Sequence, residues 1–348
     1  MHYARLVDEG LAAVDSALSG RARGIAVRTS GSTGNPREAL LSTAALHASA
    51  TATLARLGGP GHWLLALPAD RIAGAMVAVR ARIGGTELIH AGLIHAGGGP
   101  FTAAGFAHAA GTMPAGRRYV SLVPTQVRRL LADPAGAEAL AGFDAVLVGG
   151  APPGMTLPRN AVETYGMTET SGGCVYDGAP LEGVSVRIDD DGRIMIAGPM
   201  LADGFADGDD SAFVERDGER WLRTGDVGEL VDGRLAVLGR ADDVILTGGV
   251  NVHPVPVERA LLAHGAIADA VVVGVPDLQW GERVVALVAV APGASVTLDG
   301  LRSTLRLERA ELPTTVLEVD SIPRTAAGKI DRYAARAIAA RTAAEEAS

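Results

Sequence analysis

The sequence predicts an α/β fold in two unequal parts: a large N-terminal domain of layered α/β and β-hairpin segments, then a small α+β domain. Three observations carry this. Short apolar runs alternate with Ala/Leu-rich stretches through the first two-thirds of the chain, the pattern of strands and helices in layers. After about Leu181 the pattern becomes alternating strands joined by Asp-Gly turns, which marks hairpins. At 348 residues, the chain exceeds what one small core organises.

In chain order, "GIAVR" (24–28) reads as a short strand, and "TSGSTGNPR" (29–37) is a polar knot without an apolar side chain. "EALLS" (38–42) is expected to return as a second strand, which makes the knot a hairpin tip. "TAALHASATATLARLGG" is a helix capped by Ser42 or Thr43 and stopped at Gly58-Gly59-Pro60. "HWLLALP", "GTELIHA", "RYVSLVP", "DAVLVGG" and "AVETYGM" are continuous apolar runs with Gly or Pro stops, read as buried strands. "GVSVRIDDDGRIMIAG" and "WLRTGDVGELVDGRLAVLG" are hairpins. Beyond "GRADD" lies a unit of about a hundred residues, an ordinary domain size. It holds the helix "VERALLAH", the strands "DAVVVGVP" and "RVVALVAVA", then a helix, a strand and a polar Ala-rich helix.

Bulk properties exclude several classes. The formal charge of −9 argues against nucleic-acid partners. A single cysteine, Cys174, excludes an internal disulfide and a cysteine zinc cluster. The N-terminal residues carry acids and no signal-peptide core. The longest apolar stretch, Trp63 to Ile83, is broken by Pro68, Asp70, Arg71, Arg80 and Arg82, so no membrane span is expected. A cytoplasmic protein is expected, its oligomeric state open and a homodimer among the choices.

The knot has the chemistry of a phosphate site. Gly31 and Gly34 free backbone N–H groups to converge, Thr29, Ser30, Ser32 and Thr33 supply hydroxyls, and Arg37 supplies charge. No Walker A pattern occurs in the chain. "YGMTET" (165–170) puts Thr168 and Glu169 at the end of a buried strand, where ligands collect in open sheets. A carboxylate there suits a magnesium ion that bridges phosphates. "RTGDVGEL" puts Asp226 between hairpin strands, where it can accept from ribose hydroxyls. "GRADDVILTGG" and "PRTAAGKIDR", with Lys329, complete the set.

These five segments, in this order and spanning residues 29 to 332, resemble the ATP-dependent adenylate-forming superfamily of acyl-CoA synthetases, peptide-synthetase adenylation domains and luciferases. The resemblance implies a large domain (1–239) and a small mobile domain (240–348) pivoting near Asp242. It also implies ATP, Mg²⁺ and coenzyme A: a carboxylate attacks the α-phosphate, pyrophosphate leaves, and a thiol then attacks the acyl-adenylate. Under it, Thr29, Ser30, Gly31, Ser32, Thr33, Gly34 and Arg37 hold the terminal phosphates. Gly149, Gly150, Ala151, Tyr165 and Gly166 border the adenine. Thr168 contacts the α-phosphate and Glu169 the metal. Asp226 and Arg240 take the ribose, Lys329 the reacting carboxylate and bridging oxygen, and Gly248 and Gly249 part of the pantetheine tunnel.

Within that superfamily the short chain, "TYGMTETSGGCVYDG", "VSLVPTQVRRLL" and "LALPADRIAGAMVAVR" resemble o-succinylbenzoate–CoA ligases of menaquinone biosynthesis. That resemblance implies an aromatic keto-diacid substrate. Its unreacted carboxylate is assigned to Arg80, whose planar guanidinium suits a carboxylate fork, and its ring to Ser171, Gly172 and Gly173. Three departures stand out. Arg37 replaces the usual Lys. Asp70-Arg71 replaces a His-containing pair, so either Arg71 substitutes as a cation at the acid or the site is impaired. Residues 151–164, with Pro152, Pro153 and Pro158, are expected to lack the usual helix. Another aryl- or acyl-CoA ligase, or a catalytically weakened nucleotide-binding homologue, are the alternatives.

Overall fold

The structure, a computed structural model, describes residues 2–29, 37–90, 101–152, 155–325 and 329–346, with side chains to residue 342. Ser30, Gly31, Ser32, Thr33 and Gly34 lie outside the described residues.

A seven-stranded sheet forms the frame. Its order is Ala179–Pro180, Gly172–Tyr176, Ala161–Met167, Ala145–Gly149, Arg118–Leu122, His62–Leu65, Leu88–His90. The last five are mutually parallel, and they are the five apolar runs read as buried strands. His62–Leu65, Arg118–Leu122 and Ala145–Gly149 are largely buried because both faces are covered; contrary to expectation, Ala161–Met167 is only half-buried along its length and Leu88–His90 is half-buried to exposed, since they lie nearer the sheet's ends. Trp63, Tyr119, Ala145 and Leu147 pack on one face, in one core with Leu54 and Val77. Leu64, Val120, Val146 and Val148 pack on the other, with Phe106 and Val127. The helix Ile72–Ile83 connects His62–Leu65 to Leu88–His90 and is buried without interruption from Gly74 to Ala81, so its apolar residues run all round rather than along one stripe.

Between Gly149 and Ala161 the described residues form no helix, as the proline density predicts. Gly150 starts this crossover with φ +84°.

A four-stranded sheet joins Tyr3–Arg5, Gly24–Arg28, Glu38–Ser42 and Gly204–Phe205. Gly24–Arg28 and Glu38–Ser42 pair antiparallel from Gly24↔Ser42 to Arg28↔Glu38, so the polar knot does span a hairpin end. Ser42 caps the helix Thr43–Arg56 by accepting from the Ala45 N–H at 3.3 Å. The strand Gly204–Phe205 is too short for any periodicity to announce it.

The third sheet is antiparallel and contains Ser185–Ile188, Arg193–Ala197, Glu219–Val231, Phe213–Arg216 and Arg234–Arg240. Two of its turns, Asp217-Gly218 and Asp232-Gly233, hold both residues at positive φ, the tight-turn geometry that Asp-Gly favours.

The fourth sheet, Val250–Val252, Ile245–Thr247, Gly281–Val290, Ile267–Asp277 and Thr315–Glu318, has its own cores. Val272, Val284 and Ala286 face the helix Pro254–Leu262. Val271, Val285 and Leu287 face the helix Arg332–Glu346 through Ala335 and Ala339. The first of these helices starts earlier than its sequence signal, because Pro254 occupies the first turn, where a missing N–H costs nothing. Among the described residues no helix is long and apolar enough to cross a membrane.

Candidate functional site

The site grows from the end of one strand. Ala161–Met167 is the last parallel strand, and the chain must reverse there to return as Gly172–Tyr176. One 3₁₀ turn, Thr168–Thr170, makes the reversal, followed by Ser171 at φ 51°, ψ 42° and Gly172 at φ 87°. The Thr170 hydroxyl stitches it, accepting from the Met167 N–H at 2.9 Å and donating to the Gly172 carbonyl at 2.7 Å. A Cβ on Gly166 would collide with that carbonyl, so the position demands glycine. The reversal lifts Thr168 and Glu169 to the carboxyl edge of the sheet, the ligand-binding edge of such folds.

Asp226 arrives from the third sheet. Its Oδ2 accepts from the Tyr165 hydroxyl at 2.9 Å, and Arg240, directly opposite in register, lies 3.7 Å from Oδ1. Arg240 also donates to Asp242 at 3.1 Å. Its guanidinium lies flat on Gly225, where a Cβ would meet Nη1 at 2.5 Å. Burial pushes the Asp226 carboxyl above the usual range, against the opposing pull of Tyr165, Arg240 and Lys329. Burial likewise raises Glu169, opposed by Arg37 and Lys329 and reinforced by Asp226. Two desolvated carboxyls and three cations, Arg37, Arg240 and Lys329, therefore share one electrostatic neighbourhood.

Lys329 is exposed; its carbonyl accepts from the Thr325 N–H at 2.8 Å, and Arg324 forms a bridge with Ile330. With Val123, Gly150, Ala151, Val255 and Ile330 it lines a cleft between the seven-stranded sheet and the C-terminal unit. Gly149 sits on the strand end behind that wall, where a Cβ would clash with the Thr164 hydroxyl.

Arg80 occupies the interior. It is 4% exposed, its Nε is buried with no hydrogen-bond partner, and it has no ion pair among the described residues. Its guanidinium carbon lies 5.4 Å from the Trp63 ring centroid. A Cβ on Gly172 would sit 3.9 Å from Arg80 Nη2 and 3.6 Å from Met76, so the reversal loop and this cation face each other. Gly173 backs onto Thr164 and Tyr176.

Other candidates sit differently. Ser171 is fully buried, with its hydroxyl donating to the Met200 carbonyl at 2.8 Å and its own carbonyl accepting from Ser49. Arg71 is at the N-terminal boundary of its helix with its side chain 53% exposed, 3.9 Å from Asp70. The Thr29 hydroxyl accepts from the Arg37 N–H at 3.0 Å, closing the neck of the knot. Arg37 forks onto Asp207 at 2.7 and 2.6 Å, donates to the Asp209 carbonyl and covers the Phe205 ring at 3.7 Å. Hydrogen bonding to Arg37 lowers Asp207 to about 2. Gly248 and Gly249 form the exposed turn between Ile245–Thr247 and Val250–Val252, with Trp280 against Gly248. Asp242 is exposed, and its neighbour Asp243 is tied into the C-terminal unit through Arg332, which also forks onto buried Glu258. Cys174 is buried and its thiol is pushed up to about 12 by desolvation, so it is no nucleophile. No cluster of three His, Cys, Asp or Glu residues forms a metal cage among the described residues.

Sequence reasoning missed the groups that act through others: Trp63 beside Arg80, and Asp207 and Phe205 beneath Arg37. Their signal is absent because the partners lie far apart in the chain.

A cleft over the carboxyl edge of a parallel sheet, walled by a second unit that presents a lysine, defines the adenylate-forming enzyme fold. The chain belongs to the AMP-binding enzyme family, which it matches over residues 27–231, with the AMP-binding enzyme C-terminal domain matched over 256–329. It is 45% identical over 324 residues to a protein of Mycobacterium tuberculosis called a probable 2-succinylbenzoate–CoA ligase, covering 89% of this chain and 83% of that one. Among solved structures, it resembles the o-succinylbenzoate CoA synthetase MenE of Bacillus subtilis in complex with the acyl-adenylate intermediate OSB-AMP. That match has a TM-score of 0.70, 27% identity, and covers 88% of this chain and 67% of that one. ATP-bound MatB of Rhodopseudomonas palustris matches with a TM-score of 0.76 and 26% identity, over 91% and 68%.

Proposed function

We propose that this protein is an AMP-forming 2-succinylbenzoate–CoA ligase acting in menaquinone biosynthesis in the cytoplasm. The observation that carries the choice of acid is Arg80. An arginine cannot shed its charge in a protein, and an unpaired buried cation is costly unless a ligand supplies the counter-charge. Its position against Gly172 favours a substrate with a second carboxylate.

In the first half-reaction a carboxylate oxygen bonds to the α-phosphorus and the bond to the bridging oxygen breaks, releasing pyrophosphate and leaving an acyl-adenylate. The reaction concentrates negative charge, which oriented donors and cations must meet. Lys329 serves the reacting carboxylate and the bridging oxygen, and Thr168 the α-phosphate. Asp226, held by Tyr165 and paired with Arg240, accepts from the ribose hydroxyls. Gly150, Ala151 and Tyr165 flank the base. The knot grips the leaving pyrophosphate. Glu169, a desolvated hard oxygen ligand, would hold a magnesium ion, and such an ion would neutralise phosphate charge.

In the second half-reaction the coenzyme A sulfur bonds to the acyl carbon, the acyl–phosphate bond breaks, and AMP and a proton leave. We assign residues 1–239 to a fixed domain and 240–348 to a mobile one. The Asp243–Arg332–Glu258 ties support a pivot at Asp242, since they hold the chain beyond it to the small unit. Rotation withdraws Lys329 and brings the Gly248-Gly249 turn toward the thiol path. Exposure of Arg71 supports a minor part for it at the acid.

Incubation with ATP, Mg²⁺, coenzyme A and a panel of carboxylic acids, read as AMP and pyrophosphate release, tests this. The expected result is turnover with 2-succinylbenzoate far above monocarboxylic benzoates. Preference for the monoacids contradicts the assignment.

A further inference from the structure

The small unit presents Lys329 only while it lies against the large one, so something must hold it there long enough for the first bond to form. Apolar packing between the units is a poor means, since rotation has to break it in every cycle. Ion pairs are better suited: they are directional, and water solvates the separated charges.

One such pair is placed to act on Lys329. Asp269, in the strand Ile267–Asp277 of the small unit, presents its Oδ2 to two arginines. Arg128 Nη1 approaches at 2.9 Å and Arg324 Nη2 at 2.7 Å, while Oδ1 accepts from the Ala270 N–H at 3.1 Å. The Asp269 side chain is 14% exposed, so its charge is less screened than that of a surface pair. The two arginines belong to different units. Arg128 is in the last turn of the large unit's helix Pro124–Leu131, which Val127 and Leu130 anchor in the core beside the parallel sheet. Arg324 belongs to the small unit and forms a bridge with Ile330, next to Lys329. Asp269 thus couples the Lys329 segment to a rigid element beside the nucleotide cleft. A second pair between the units, Arg259 to Glu163, is longer at 3.5 Å and exposed on both sides.

We propose that Arg128 is a positioning residue: through Asp269 and Arg324 it latches the small domain in the orientation that presents Lys329, and its release accompanies the rotation to the thioester-forming orientation. The role rests on the ligase reading above. It predicts an asymmetric effect. Arg128→Gln leaves Asp269 paired with Arg324, so the small unit keeps its fold, but the latch between the units is gone. The lysine-in population falls about tenfold, which corresponds to about 1.4 kcal/mol. Pyrophosphate release falls in proportion, and thioester formation from supplied acyl-adenylate does not fall. Arg128→Lys, which keeps the charge that meets Asp269 through a single nitrogen, recovers most of the first rate. Raised salt slows adenylation by the native chain somewhat more than by the Gln variant, which has no latch left to screen.

Amide hydrogen exchange on the ligand-free chain gives a readout independent of catalysis. Arg128→Gln is expected to speed exchange in residues 123–131 and 254–262 and to leave the inner strand Arg118–Leu122 unchanged. Unchanged exchange at the contact overturns the latch whether or not the chain is a ligase, as do equal losses in both half-reactions. Faster exchange without pyrophosphate release from the native chain on any acid leaves the latch standing and removes the ligase reading.

Discussion

Replacing Arg80 by methionine separates a ligand-binding cation from a structural one, because the two readings predict opposite effects on stability. In the free protein the guanidinium is 4% exposed, without an ion pair among the described residues and with Nε unsatisfied. Its visible compensation is the Trp63 ring at 5.4 Å, worth roughly 0.5–2 kcal/mol. The desolvation penalty for a buried ion is several kcal/mol. Methionine fills a similar path beside Met76 without the charge, so the free enzyme should hold or gain melting temperature. With the diacid bound, the substrate carboxylate loses a buried partner. Such truncations cost about 3–5 kcal/mol when fully buried, and we take about 2–4 for a pocket that substrate and water must enter. That is roughly a 30- to 1,000-fold rise in KM for 2-succinylbenzoate, with little change for ATP. Initial-rate pyrophosphate release at saturating ATP, with a melting curve on the same samples, reads both. An unchanged KM removes Arg80 from the diacid site, and a melting temperature several degrees lower makes it a structural cation.

Lys329→Ala should reduce acyl-adenylate formation by at least about 10²-fold, the usual cost of a lost transition-state donor, and leave thioester formation from supplied acyl-adenylate nearly intact; equal losses contradict the two-orientation mechanism. Burial raises the Glu169 carboxyl, and a metal binds its ionised form. Magnesium affinity should therefore weaken as pH falls, with a midpoint above the ordinary 4.5, and Glu169→Gln should abolish this dependence. For stability the sign is opposite: a carboxyl raised in the folded state contributes below its unfolded pKa, and that contribution is lost as pH rises through the folded one. Glu169→Gln should accordingly not lower the melting temperature at pH 8, whereas a drop of several degrees would mark it as structural. Gly225→Ala puts a Cβ 2.5 Å from Arg240 Nη1, a flexible tip that moves. It should raise KM for ATP about tenfold by displacing Arg240 from Asp226, with the acid KM unchanged; an unaltered KM for ATP removes Arg240 from the ribose site.

The backbone was legible where neighbours in sequence decide it. The parallel strands announced themselves as apolar runs, the hairpins through Asp217-Gly218 and Asp232-Gly233, and the helix at Thr43 through the Ser42 cap. That the described residues between Gly149 and Ala161 form no helix followed from the prolines. Side-chain direction was less legible, because packing between distant segments sets it. Ser171 belongs to the expected loop, yet its αL backbone turns the hydroxyl onto the Met200 carbonyl. Arg71 stands next to a buried helix and still faces solvent, since it precedes the first helical turn. Arg37 forks onto Asp207, 170 positions away, and no local pattern encodes that pair. Arg80 was legible as a cation in an apolar helix, but that the described protein offers it no carboxylate is a fact of the folded state alone.

Adenylation of a dicarboxylic acid is the step on which the assigned roles depend. Release of pyrophosphate from ATP by the purified chain, dependent on 2-succinylbenzoate and measured before coenzyme A is added, tests it most directly. A burst of pyrophosphate with enzyme-bound acyl-adenylate is expected, converted to the thioester when coenzyme A arrives. Absence of pyrophosphate release with 2-succinylbenzoate, under conditions where the chain binds ATP, would contradict it.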